Sequence, residues 1–177
     1  LMLVFSANVV LAKSFIGVIG AAVGEIKNQN EQLLKTGSKI FYGDTILSSK
    51  ESNAQILFLD QTVLTLGEDT ELFIDDFVYN SDTQEGNFVT EIKSGTVKFI
   101  TGQISKLNPE NLEVKLPEGT LGARGTEFVV LSQKNKESTV VLLGPGPNNT
   151  LGMIPGSLQN LQSPFLGPTL WALFGKP

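Results

Sequence analysis

Short apolar runs closed by Gly, Asn, Asp, Ser or Pro follow one another from Phe15 to Leu143, and this punctuation constrains the chain more than any other feature. A helix needs apolar residues every three or four positions over several turns. Only the stretch 103–111 offers such a pattern, briefly, and Pro109 breaks it. Leu112-Glu113-Val114-Lys115-Leu116 instead alternates apolar and charged residues with period two, so one face can be buried while Glu113 and Lys115 stay wet. The 18 glycines and 8 prolines supply turn positions throughout. The expected fold is all-β, either a compact β-sandwich or a short irregular β-solenoid of about ten short strands, since strands of about five residues bury one face in either form. No internal repeat of fixed period imposes the solenoid.

The pattern predicts strands over 15–27, 45–48, 54–59, 62–66, 71–79, 88–93, 96–100, 112–116, 126–131 and 138–143. Asp60-Gln61 has the spacing of a two-residue hairpin turn, with Gln where Gly is the easier residue. Ser94-Gly95, inside EIKSGTVKF, reads as a second hairpin. Turns are expected over 28–31, at Lys35-Thr36-Gly37 and at Gly67-Glu68-Asp69-Thr70, with a polar loop over 80–87.

The two ends have their own textures. Residues 1–12, LMLVFSANVVLA, are apolar and finish in Val10-Leu11-Ala12, small or medium residues of the kind a signal peptidase reads. They are expected to be a partial signal peptide, with Lys13 starting the mature chain. A buried first strand is the alternative, and a membrane span over 1–24 would carry Lys13 at its centre, at a cost of roughly 2.5–3.5 kcal/mol. From Gly144 the chain reads GPGPNNT, which places a domain over 13–144 and a Pro/Gly-rich tail over 145–177. Leu166, Leu170, Trp171, Leu173 and Phe174 are too apolar for a free tail and are expected to dock on the domain or on a partner.

Composition removes much chemistry. With no cysteine and no histidine there is no Cys/His zinc site, thiol nucleophile or imidazole-based triad. A net charge of −5, from 13 basic and 18 acidic residues, leaves no basic stripe for phosphates, so nucleic acid is not an expected partner. Asp75-Asp76 is the most obvious carboxylate pair, but neighbours on a regular strand point to opposite faces and cannot share a proton. Lys35-Thr36-Gly37 lacks the Ser-x-x-Lys that would give it a nucleophile, and Pro145 and Pro147 spoil a glycine-rich phosphate loop. No catalytic residue, metal site or cofactor is expected.

Arg124 is the sole arginine, and it stands in Leu121-Gly122-Ala123-Arg124-Gly125-Thr126-Glu127-Phe128. Glycine on both flanks permits close backbone approach, and a guanidinium offers a fixed fork of donors that lysine cannot copy. Two roles stay open: bracing a strand crossing through carbonyls or a carboxylate, or contact with a partner or ligand by Arg124 and Thr126.

LGARGTEFVV resembles the hallmark segment of FecR domains, in which a Gly-containing aliphatic stretch and Arg-Gly-Thr precede an apolar strand. The resemblance extends backwards in order through Gly43-Asp44-Thr45-Ile46-Leu47-Ser48-Ser49, the apolar hairpin over 54–66, the glycine-containing hairpin EIKSGTVKFITG and the strand over 112–118. Gln61, where the family usually has Gly, and Glu118-Gly119 depart from it. Gly122, Arg124, Gly125 and Thr126 are thereby the structural motif. The resemblance implies an extracytoplasmic β-domain, in a family named for regulators that pass a signal from an outer-membrane receptor to a cytoplasmic sigma factor. Those regulators carry an anti-sigma segment and a membrane helix ahead of the domain, whereas at most twelve residues precede Lys13 here, so the stand-alone exported form is expected.

The functional expectation is a periplasmic or secreted, non-enzymatic module for protein–protein interaction or signal relay, with an envelope protein as partner and no integral membrane segment once the leader is removed. The alternative is a periplasmic binding protein for a carbohydrate or anionic metabolite, anchored by Arg124.

Overall fold

The computed structural model describes residues 13–124, 127–133, 136–143 and 150–153, which form thirteen strands. The strands lie in two sheets. The first runs in the order β3 (Lys39–Phe41), β1 (Phe15–Val23), β5 (Asn53–Phe58), β6 (Val63–Leu66), the second half of β8 (Gly86–Ile100), β11 (Glu127–Ser132) and β12 (Thr139–Leu142). The second runs β2 (Ile26–Asn28), β4 (Thr45–Ser48), β7 (Glu71–Tyr79), the first half of β8, β9 (Leu112–Leu116), β10 (Gly119–Arg124) and β13 (Thr150–Met153). Every pairing is antiparallel except β8 with β9, whose parallel course needs a crossover. The short helix α1 (Gln103–Leu107) and a 3-10 turn, Pro109–Asn111, supply it. The fold is thus all-β, as expected, and it takes the two-layered form rather than coils stacked in parallel.

One expectation is overturned at Ser94-Gly95. There is no hairpin: β8 is a single strand of 15 residues that belongs to both sheets. Up to Ser94 it pairs with β7, and from Gly95 it pairs with β11. Gly95 has φ +94°, and a Cβ there would lie 2.2 Å from Thr70 Oγ1 and 2.4 Å from Thr70 Cα. The glycine bends the strand against the turn after β6 instead of reversing it. The bend is held by Thr96 N–H donating to Thr70 Oγ1 at 3.1 Å and Gly67 N–H donating to the Thr96 carbonyl at 2.8 Å.

The β5–β6 hairpin exists, but with a three-residue loop rather than the two-residue turn expected. Gln61 N–H donates to the Phe58 carbonyl and Phe58 N–H to the Thr62 carbonyl, both at 3.0 Å, a type I turn followed by Gln61 at φ 71°. The expected strand over 15–27 divides at Gly24, φ +76°, where Ser52 Oγ accepts Glu25 N–H at 2.9 Å. Strands β3, β10 and β13 were not anticipated, and β13 pairs with β10 although it lies beyond Gly144.

Burial alternates along most strands, and the inward residues form one apolar cluster. Phe58 of the first sheet packs against Phe77 and Phe88 of the second, with ring centroids 5.5 and 4.7 Å apart, while Phe99 and Phe128 stack at 4.7 Å on neighbouring strands. Each such side chain contributes roughly 1.5–3 kcal/mol on burial, against about 0–1 kcal/mol for an exposed ion pair, so the inter-sheet core dominates stability.

Candidate functional site

The chain crosses between the sheets twice at one place. It leaves β8 at Ile100 and enters the second sheet through α1, and it returns from β10 to β11, where Glu127 is registered opposite Ile100. The Ser105 hydroxyl of α1, itself buried, donates to the Ala123 carbonyl of β10 and ties the two crossings together. Lys98 and Glu127 form an ion pair beside them.

What positions α1 lies elsewhere in the chain. Gly102 stands at its N-cap and has no side chain to satisfy the first-turn amides. Asp60, in the β5–β6 loop, substitutes for it: its carboxylate accepts Thr62 N–H at 3.0 Å, the Thr62 hydroxyl at 2.7 Å and the Ile104 N–H. The Asp60 carbonyl also accepts Gln103 N–H at 2.8 Å, and Thr62 Oγ1 accepts Gly102 N–H at 3.0 Å. A Cβ on Gly102 would lie 2.3 Å from the Asp60 carbonyl oxygen, so only glycine allows this approach. Asp60 is fully buried; burial pushes its carboxyl above the usual carboxylate range, and the hydrogen bonds from Thr62 and Ile104 oppose that rise.

The hallmark residues stand at the second crossing. Gly122 pairs with Glu113 on one side and Gly152 on the other, and Arg124 ends β10 opposite Thr150. The Arg124 side chain, Gly125 and Thr126 lie outside the described residues. Thus the described part of the motif, Gly122 to Arg124, sits where the sheets exchange strands, next to the Asp60-capped helix.

Asp75 and Asp76 do not behave as neighbours on a regular strand. The β7 register shifts between Ile74 and Asp76, and burial falls on Ile74 and Phe77 with both aspartates half-buried between them. This bulge overturns the expectation of opposite faces. The two carboxylates nevertheless have separate partners. Lys115 Nζ donates to Asp75, which raises the lysine's pKa, and Asn87 Nδ2 donates to Asp76 at 2.7 Å.

A second buried carboxylate, Asp44, accepts Lys13 Nζ at 2.8 Å, Phe41 N–H at 2.9 Å and Gln29 Nε2 at 3.3 Å. It closes the turn before β4. Sequence reasoning did not single out Asp44 or Asp60 as site residues. The available signal was local: Asp60-Gln61-Thr62 places a hydroxyl two residues beyond a turn aspartate, a spacing that invites side chain to backbone bonding.

Among the described residues no group of three or more metal-ligating side chains converges, and no helix is long and apolar enough to cross a membrane. Residues 44–144 match the family described as FecR protein, an interval that opens on buried Asp44 and includes Asp60, all of β8 and both crossings. No curated protein and no solved structure matches the chain.

Proposed function

The chain belongs to the FecR family, and from that premise we propose that it is an extracytoplasmic, non-catalytic module that relays a signal through contact with an envelope protein. The observation that carries this reading is the family match over residues 44–144, which identifies a signalling-related domain. The apolar leader 1–12 supports export. The internal geometry agrees with a scaffold role for the acidic groups: Asp44 and Asp60 are spent on turns and a helix cap, and Asp75 and Asp76 on separate partners. In this reading Arg124 and Thr126 of the hallmark segment meet the partner.

The test is fractionation with in-cell crosslinking from that crossing. The full chain, produced behind a completed leader in a bacterial host, is expected in the periplasm with the intact mass of a protein starting at Lys13, and crosslinked to a single envelope protein. Arg124→Lys then separates two roles. A contact residue weakens crosslinking at unchanged melting temperature, whereas a bracing residue lowers melting by on the order of 2–4 °C per kcal/mol lost. Retention in the cytoplasm, or tight binding of a small metabolite by a chain that crosslinks to nothing, overturns the proposal.

A further inference from the structure

Edge strands invite pairing with other chains, and two of the edges here are guarded. Edge strand β3 is three residues long, carries exposed Lys39, and has its Phe41 N–H taken by Asp44. Edge strand β2 is covered by its own following loop, with Leu34 N–H bonded to the Ile26 carbonyl and Asn28 N–H to the Gln32 carbonyl. Among the described residues strand β12 has no such device: it pairs with β11 alone, and Thr139-Val140-Val141-Leu142 holds neither charge, proline nor glycine.

The bonding pattern shows which groups β12 leaves open. Leu143 N–H donates to the Glu127 carbonyl at 2.8 Å, and bonded pairs alternate along an antiparallel ladder. Thr139, Val141 and Leu143 therefore bond inward to β11, while Ser138, Val140 and Leu142 turn their N–H and C=O groups away from it. These same three residues carry the side chains that face the interior: Ser138 and Val140 are buried and Leu142 packs against the core cluster. A strand added here must put apolar side chains on the inner face at alternate positions.

The strand itself supplies such side chains at Val140 and Leu142, with Ser138, whose hydroxyl donates to Glu118 at 2.7 Å, as the polar end of the inner row. We propose that β12 pairs with β12 of a second copy, antiparallel, about a two-fold axis at Val140. That register sets Val140 against Val140 of the second copy and Ser138 against Leu142 of the second copy, so each open N–H and C=O finds a mate. It keeps inner residues opposite inner ones, as a continuous sheet demands. Thr139 falls opposite Val141 of the second copy on the outer face. The exposed Lys136-Glu137 pairs move to opposite ends of the ribbon, where neither faces its like. The interface is small, and the dimer is correspondingly weak and concentration-dependent.

Sedimentation of the full chain from about 1 μM to about 1 mM, the range in which small interfaces associate, tests this. The wild-type mass is expected to climb from that of one copy toward twice that value, the single-copy value being 19.1 kDa when residues 1–12 are retained. Thr139→Lys with Val141→Lys sets lysine against lysine twice across the axis and is expected to weaken the dimer at least about tenfold. Thr139→Glu with Val141→Lys sets unlike charges against each other and is expected to restore it. Melting curves confirm that each variant folds; if one does not, hydrogen exchange on the wild type replaces it, with the Val140 and Leu142 amides gaining protection as concentration rises. A wild type that stays monomeric with unchanged protection, leaving the edge to a strand of another protein, overturns the proposal, as does equal dimerisation of all three chains.

Discussion

The Asp60 carboxylate, held in the loop between β5 and β6, accepts the backbone N–H of Ile104 in the first turn of α1. A hairpin of one sheet thereby caps the helix that carries the chain into the other. Because the donors of Thr62 and Ile104 are enclosed, Asp60→Ala leaves them without a partner, and a buried unsatisfied group costs about 1–3 kcal/mol each. We expect Asp60→Ala to be among the most destabilising polar substitutions in the chain, as read by urea denaturation. Loss of less than about 0.5 kcal/mol, the usual size for surface changes, would mean that the cap does not hold the crossover.

The same carboxylate gives a pH dependence of defined sign. Burial holds its folded pKa above the unfolded value, so between those two values the native state binds more protons than the unfolded chain. Its contribution to stability therefore declines as pH rises through that window and recovers on acidification. Asp60→Asn removes the titration while keeping the shape. The stability difference, wild type minus Asp60→Asn, is expected to favour wild type more at about pH 4 than at about pH 7, a range that starts near the unfolded pKa. Denaturant titrations of both proteins at both pH values measure it, and other carboxylates cancel in the difference. A flat or inverted difference contradicts the assignment.

The Lys115 and Asp75 pair should matter far less. Both side chains are about two-fifths exposed, at 42% and 39%. Solvent screening and side-chain entropy leave such a pair with about 0–1 kcal/mol. Lys115→Met is expected to keep its stem packed across β8 and to shift the melting temperature little at physiological salt.

How far the sequence could be read follows from these cases. Strands β4, β7 and β9 were legible to the residue because turn residues bound them, and β9 also because its apolar positions alternate. The break at Gly24 and the continuity through Gly95 were not, because Gly in a strand signals a bend or a turn equally well and only the neighbours Ser52 and Thr70 decide which. The bulge at Asp75-Asp76 was hidden for a similar reason: it is set by pairing with β8, a long-range contact. The motif around Arg124 was visible as a pattern, whereas the Asp60 cap that supports the crossing joins residues about forty positions apart, beyond the reach of local periodicity.

Gly95 offers the sharpest test of the shared strand. Were it the turn residue of a hairpin, Asn would replace it at little cost, since Asn tolerates positive φ in turns. In the structure the obstacle is steric as well as conformational, because a Cβ would meet Thr70 Cα at 2.4 Å, a backbone atom that cannot step aside. Both Gly95→Ala and Gly95→Asn are expected to cost on the order of 2 kcal/mol or more, summing strain at a special φ with forced displacement of the 67–70 turn. For a chain of this length that lowers melting by on the order of 2–4 °C per kcal/mol. Thr70→Ala in the same chain removes Oγ1 but not Cα, so it should rescue Gly95→Ala only in part, and it also costs the Thr96 N–H its acceptor. A Gly95→Asn variant that melts with the wild type would show that β8 turns at Ser94-Gly95 after all and that the two sheets do not share it.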